Sequence, residues 1–143
     1  MSPGFALDPR LEADSHVLAN GPLSQLRLVD DLRFPWLLLV PRVGGASELA
    51  DLDRAAQHRL LEEIDSANAL LRGWQACDKL NLGALGNVVR QLHVHLVGRR
   101  EGDAAWPGPV WGLGAMQRAT PAQRDERVAQ LRGGLDPALW RAD

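Results

Sequence analysis

Apolar and polar positions fall into short blocks with two different periods. Residues 15–19, 25–29 and 36–40 are apolar-rich runs of strand length, separated by turn chemistry at Asn20-Gly21-Pro22 and over residues 30–35. They predict three strands of an antiparallel meander. The third run, from Trp36 through Val40, is apolar at every position and is the longest such stretch in the chain, far below the length of a membrane span. Farther on the period changes. Leu52, Ala56, Leu60, Ile64, Ala67 and Leu71 recur at three or four residues, which predicts a helix over residues 53–72 with Gly73 placed to end it. Arg54, His58 and Glu62 line its opposite face, so His58 is read as a solvated histidine. Thr120, Pro121 and Gln123 supply a cap, a first-turn proline and a capping box for a second helix over residues 121–132, with Gly133 after it. Residues 79–85 and 92–99 read as two further extended runs joined through Gly86-Asn87. Five strands and two helices, one long and one shorter, imply an α+β domain with a five-stranded, mostly antiparallel sheet.

The chain has 143 residues, 45% hydrophobic and 24% charged, which suits one globular domain over residues 1–143 and excludes disordered and fibrous classes. With no repeat or linker inside it, the only expected departure is a looser last third. Sixteen basic against eighteen acidic residues leave a net charge of -2, too balanced for nucleic acid or an anionic membrane as partner. Any phosphate site is therefore local. Cys77 is the sole cysteine, so no intrachain bridge or Cys-x-x-Cys pair exists, and residues 1–20 show neither a basic start nor the apolar core of a secretion signal. Both point to the cytoplasm.

The segment Gln91-Leu92-His93-Val94-His95-Leu96-Val97 alternates strictly. Period-2 geometry sets Gln91, His93 and His95 on one face and Leu92, Val94 and Leu96 on the other. Two imidazoles on a sheet face need partners or a solvated pocket. They can be hydrogen-bonded strand residues, or a metal-chelating pair, although a catalytic zinc needs a third protein ligand and no HExxH or cysteine cluster accompanies them. A third option is nucleophilic catalysis at phosphorus, in which a neutral imidazole attacks a phosphoryl group while donors stabilise its oxygens. The preceding segment, Asn81-Leu82-Gly83-Ala84-Leu85-Gly86-Asn87, favours that option. Its glycines let backbone N–H groups approach phosphate, and its carboxamides can bond ribose or phosphate oxygens.

The run from Asn81 through Gly83, Gly86-Asn87, Val89 and Gln91-Leu92-His93-Val94-His95-Leu96-Val97 resembles the signature of the histidine triad (HIT) superfamily, His-x-His-x-His after an Asn/Gly segment. Leu37-Leu38-Leu39-Val40-Pro41-Arg42 is similar to the family's strand ending in Val-Pro-Lys or Val-Pro-Arg. The stretch from Asp103 through Trp106-Pro107 to Trp111-Gly112 resembles the Trp-Pro segment of a bacterial branch described as diadenosine-tetraphosphate hydrolase-like. The likeness spans about residues 5–112, leaving 113–143 as a helical extension.

The resemblance implies a small antiparallel sheet with helices in a homodimer, and an enzyme acting on purine nucleotides without a cofactor or metal. His93 stands at the nucleophile position, so it takes a nucleotidyl group from a dinucleoside polyphosphate or nucleoside phosphoramidate, cleaved at the α-phosphate. His95 matches the third triad position, where a donor bonds phosphate or the leaving atom. Asn87 matches a phosphate-contacting carboxamide. Asn81 and Asp31 stand at candidate substrate positions, and each also suits a turn. Two departures are visible. Gln91 occupies the place of the first histidine and cannot titrate, so catalysis by Gln91, His93 and His95 is expected with altered rate or pH dependence. Trp36 stands where many relatives carry a further histidine, and it reads as a core or interface residue, a pocket wall or a base-stacking surface. Loss of that first histidine also permits a weakly catalytic nucleotide sensor of the same fold.

Overall fold

The computed structural model describes residues 4–142. Five strands, β1 (Ser15–Asn20), β2 (Ser24–Val29), β3 (Trp36–Pro41), β4 (Lys79–Gly83) and β5 (Val94–Arg99), form one antiparallel sheet in the order β1-β2-β3-β5-β4. The α+β architecture and the five strands are as expected. β3 lies at the centre and all six of its residues are buried, which is why its sequence is apolar without alternation. A register shift between Val17 and Ala19 bulges β1 at the sheet edge.

Three helices accompany the sheet: α1 (Pro9–Asp14), α2 (Arg54–Trp74) and α3 (Pro121–Gly133). α1 is not predicted by periodicity, because six residues hold too few repeats. Its signal is local, an Asp8 cap followed by Pro9 in the first turn. α2 starts as expected, with the Asp53 carboxylate accepting from the Ala56 N–H, but it runs through Gly73 to Trp74. Gly73 does not stop the helix because its last turn is held by α3. Trp74 Nε1 donates to Gln130 Oε1 at 2.9 Å, and Arg127 lies 4.9 Å over the indole ring.

One sheet face packs Leu26, Leu37, Leu39, Val94 and Leu96 against Leu60, Ala67 and Leu71 of α2. Each fully buried leucine contributes about 2 kcal/mol through removal from water. The last third of the chain is not loose. Leu131 and Trp140 are buried in this same core, and Asn20 pairs with Arg141. Glu63, also fully buried, accepts the backbone N–H groups of Leu23 and Ser24 through Oε2 and so ties α2 to the β1–β2 turn. The other sheet face carries Trp36, Leu38, Val40 and Val97, covered by Leu11, Val89 and Val110. His93 and His95 lie on that second side.

Candidate functional site

Strand register assembles the site. His95 pairs with Leu38 of β3 and with Gly83 of β4, and Val97 pairs with Trp36, so Trp36, His95 and Gly83 share one face of three neighbouring strands. His93, one residue before β5, follows the same alternation, with its ring centroid 4.9 Å from that of His95. The predicted facing of the two histidines is observed.

Each imidazole is held at one nitrogen. His93 Nδ1 lies 2.7 Å from the main-chain carbonyl oxygen of Gln91. A carbonyl only accepts, so Nδ1 carries the proton and Nε2 keeps its lone pair in the neutral ring. His95 is held in the opposite tautomer. Trp36 Nε1–H donates to His95 Nδ1 at 3.1 Å, which leaves the proton on Nε2. Burial, and secondarily the proximity of His93, lowers the His95 pKa to about 3, so His95 is a neutral N–H donor at working pH. One lone pair and one donor thus sit side by side.

Trp111 closes the third side. Its ring stands 5.3 Å from the His95 ring in an edge-to-face arrangement, and a Cβ on Gly83 would come within 2.9 Å of it. The absent side chain of Gly83 therefore accommodates the indole, where the sequence suggested a phosphate cradle. Gly86 instead serves a turn, at φ +72°. The loop bearing Trp111 is anchored by Arg99, which is buried in the sheet. Arg99 Nε and Nη2 each donate to Asp103 at 2.8 Å, Nη1 donates to Asn81 Oδ1 at 2.9 Å, and the guanidinium lies 5.6 Å over Trp106. Hydrogen bonds from Arg99 hold the Asp103 carboxyl well below the usual carboxylate range.

The remaining sequence candidates divide. Asn87 is exposed on the loop ahead of the histidines. Asn81 is half-buried, and its oxygen is taken up by Arg99. Asp31 is fully buried, and its oxygens accept from the Arg33 side chain and from the Arg33 and Gln117 N–H groups, the turn-forming role that its sequence position also suits. The Gln91 carboxamide is bonded away from the imidazoles. It accepts from the Asp8 N–H at 2.9 Å and donates to the Ala6 carbonyl at 2.7 Å. Trp36 belongs to the site through its N–H, a role that residue type alone does not signal.

A groove of about 360 Å³ opens at His93, lined by Ser47, Glu48, Leu85, Gly86 and Gln91. Among the described residues no three His, Cys, Asp or Glu side chains gather to hold a metal ion, and no helix is long and apolar enough to cross a membrane. A nucleophilic nitrogen beside a fixed N–H donor suits attack on a phosphoryl group, with charge developing on its oxygens.

Three solved structures match closely. The chain is 42% identical to a histidine triad protein from Bradyrhizobium japonicum, with a TM-score of 0.89 over 94% of this chain and 100% of that one. A histidine triad protein from Sinorhizobium meliloti is 42% identical with a TM-score of 0.88, over 92% of this chain and 97% of that one. One from Marinobacter aquaeolei is 41% identical with a TM-score of 0.88, over 92% of this chain and 96% of that one. Among curated proteins none matches significantly. The HIT domain family matches residues 10–102, and with the paired imidazoles at the start of β5 and the sheet that carries them, the chain belongs to the HIT family.

Proposed function

We propose that the protein is a nucleotidyl hydrolase or transferase in which His93 Nε2 attacks the α-phosphorus of a purine nucleotide. The bond from phosphorus to the leaving amine or phosphate breaks, and its electron pair departs with that group. Water then attacks the phosphorus of the nucleotidyl-His93 intermediate, releasing nucleoside monophosphate and restoring the neutral imidazole. The observation that carries this reading is the 2.7 Å contact between His93 Nδ1 and the Gln91 carbonyl, which directs the lone pair to Nε2. His95, held as an Nε2–H donor by Trp36, supplies a hydrogen bond to a phosphoryl oxygen or to the leaving atom. Exposed Asn87 is a phosphate contact in the same reading.

Dinucleoside polyphosphates and nucleoside phosphoramidates both meet these requirements, the former following from the likeness to the diadenosine-tetraphosphate hydrolase-like branch. A homodimer is part of the proposal. β4 stands at the end of the sheet with Leu82 57% exposed, and Leu85 and Val88 lie exposed on the loop after it. We assign the protein to the cytoplasm, in keeping with the unpaired thiol of Cys77.

Release of AMP from adenosine phosphoramidate and from diadenosine tetraphosphate tests the reading. Wild type releases AMP from at least one, and His93→Ala abolishes it while still binding AMP. AMP binding with no turnover of either compound by wild type would identify a nucleotide sensor instead.

A further inference from the structure

The segment preceding α1 is fastened to the histidine loop by one side chain. Gln91 Nε2 donates to the carbonyl of Ala6 at 2.7 Å, while Gln91 Oε1 accepts from the N–H of Asp8 at 2.9 Å. The main-chain carbonyl of that residue is also the acceptor for His93 Nδ1. A second tie runs alongside. Arg10 Nη1 donates to the Val88 carbonyl at 3.0 Å, and Arg10 Nη2 is held by Asp8 Oδ2 at 3.1 Å. The Leu92 N–H donates to the Ala46 carbonyl at 3.0 Å, fixing the opposite side of the same peptide group.

We propose that Gln91 is a positioning residue whose carboxamide clips residues 6–8 to the histidine loop and thereby holds the carbonyl that sets the tautomer and direction of the His93 imidazole. The kinetic consequence rests on the reading of His93 as nucleophile, whereas the structural one does not. A carboxamide presents a donor and an acceptor side by side on one rigid plane, matching the Ala6 carbonyl and Asp8 N–H. An imidazole, a carboxylate and a methyl group each fall short of both demands. The two nitrogens of an imidazole diverge too widely to reach both groups. A carboxylate keeps the bond to Asp8 and sets oxygen against oxygen at Ala6, and alanine makes neither bond.

Three readings on the full chain test the proposal with Gln91→Ala and Gln91→Glu: amide exchange at Asp8, ¹⁵N chemical shifts of the His93 ring nitrogens, and the rate of nucleotidylation by adenosine phosphoramidate. In wild type the Asp8 amide is protected and His93 carries its proton on Nδ1. In Gln91→Ala, Asp8 exchange accelerates about tenfold, the ¹⁵N shifts move toward a mixture of tautomers, and nucleotidylation slows about tenfold at unchanged KM. Gln91→Glu, which keeps one bond, falls between the two and is the deciding arm if the alanine variant does not fold. An unprotected Asp8 amide in wild type, or ring-nitrogen shifts unchanged in a folded variant that has lost Asp8 protection, would overturn the proposal. Should wild type transfer no nucleotide at all, the function proposed above fails, and the exchange and ¹⁵N readings still decide the role of Gln91.

Discussion

The indole of Trp36 donates its N–H to Nδ1 of His95 across 3.1 Å, from one central strand of the sheet to the next. An indole is donor-only and does not titrate, so its partner nitrogen must remain an acceptor. His95 thereby presents an N–H at Nε2 with no dependence on pH near neutrality.

Trp36→Phe keeps an aromatic ring in the buried site and removes only the hydrogen bond. Nucleotidyl transfer is expected to fall about tenfold, the effect of about one hydrogen bond's free energy, with little change in KM. The His95 pKa stays low in this variant, because burial and then the proximity of His93, both retained, are what lower it, and NMR titration of the histidine ring protons checks this directly.

Stability is expected to fall on acidification before the carboxylates titrate. His95 is neutral in the fold down to about pH 3, whereas in the unfolded chain it protonates near its ordinary value of 6.5. Between those values the unfolded state binds more protons, so unfolding free energy rises with pH and drops as pH is lowered from 6.5. Urea melts at pH 7, 5.5 and 4.5 check this. His95→Phe, which keeps a ring without an ionisable nitrogen, flattens the same dependence.

The buried Arg99–Asp103 pair anchors the Trp106–Trp111 loop, and its loss affects both fold and site. Asp103→Asn leaves the Arg99 charge buried without its counterion and is expected to cost about 3 kcal/mol of stability in urea melts. In the same variant Trp111 loosens from His95, raising KM for nucleotide. Replacing Glu62, an exposed residue on the outer side of α2, provides the control with neither effect.

The proposed homodimer forms through the exposed β4 edge. Leu82→Glu puts a charge in place of an exposed apolar side chain on the strand at the end of the sheet and is expected to shift the protein to monomer in sedimentation velocity, with its melting profile otherwise retained. A wild type that sediments as a monomer would remove the homodimer from the account.

The five strands and two longer helices were legible because each rests on a periodic pattern or a cap: the unbroken apolar run of β3, the three-and-four spacing in α2, the Thr120 capping box of α3. The facing of His93 and His95 follows from the same period-2 rule. What escaped the sequence depends on side-chain direction across long separations. Trp36 and His95 lie 59 residues apart, and no local pattern says that an indole N–H meets an imidazole. Gln91 stands where the resemblance implies a histidine, and its carboxamide reaches back 85 residues to Ala6. Asp31 suits a substrate position or a turn by sequence, and the pairing of its oxygens with Arg33 and Gln117 is visible only in the fold. Glu63, a charged residue fully buried on α2, answers to two backbone N–H groups in a turn that α2 alone does not foreshadow.

The central claim is that His93 Nε2 becomes covalently nucleotidylated. Intact-protein mass spectrometry after rapid acid-free quenching with adenosine phosphoramidate or diadenosine tetraphosphate tests it, using wild type, His93→Ala and a His95→Ala variant in which hydrolysis of the intermediate is slowed. An adenylyl-sized mass increase that maps to His93 and is absent from His93→Ala is the predicted result. AMP release that persists in His93→Ala, or an adduct mapped to another residue, would contradict the account.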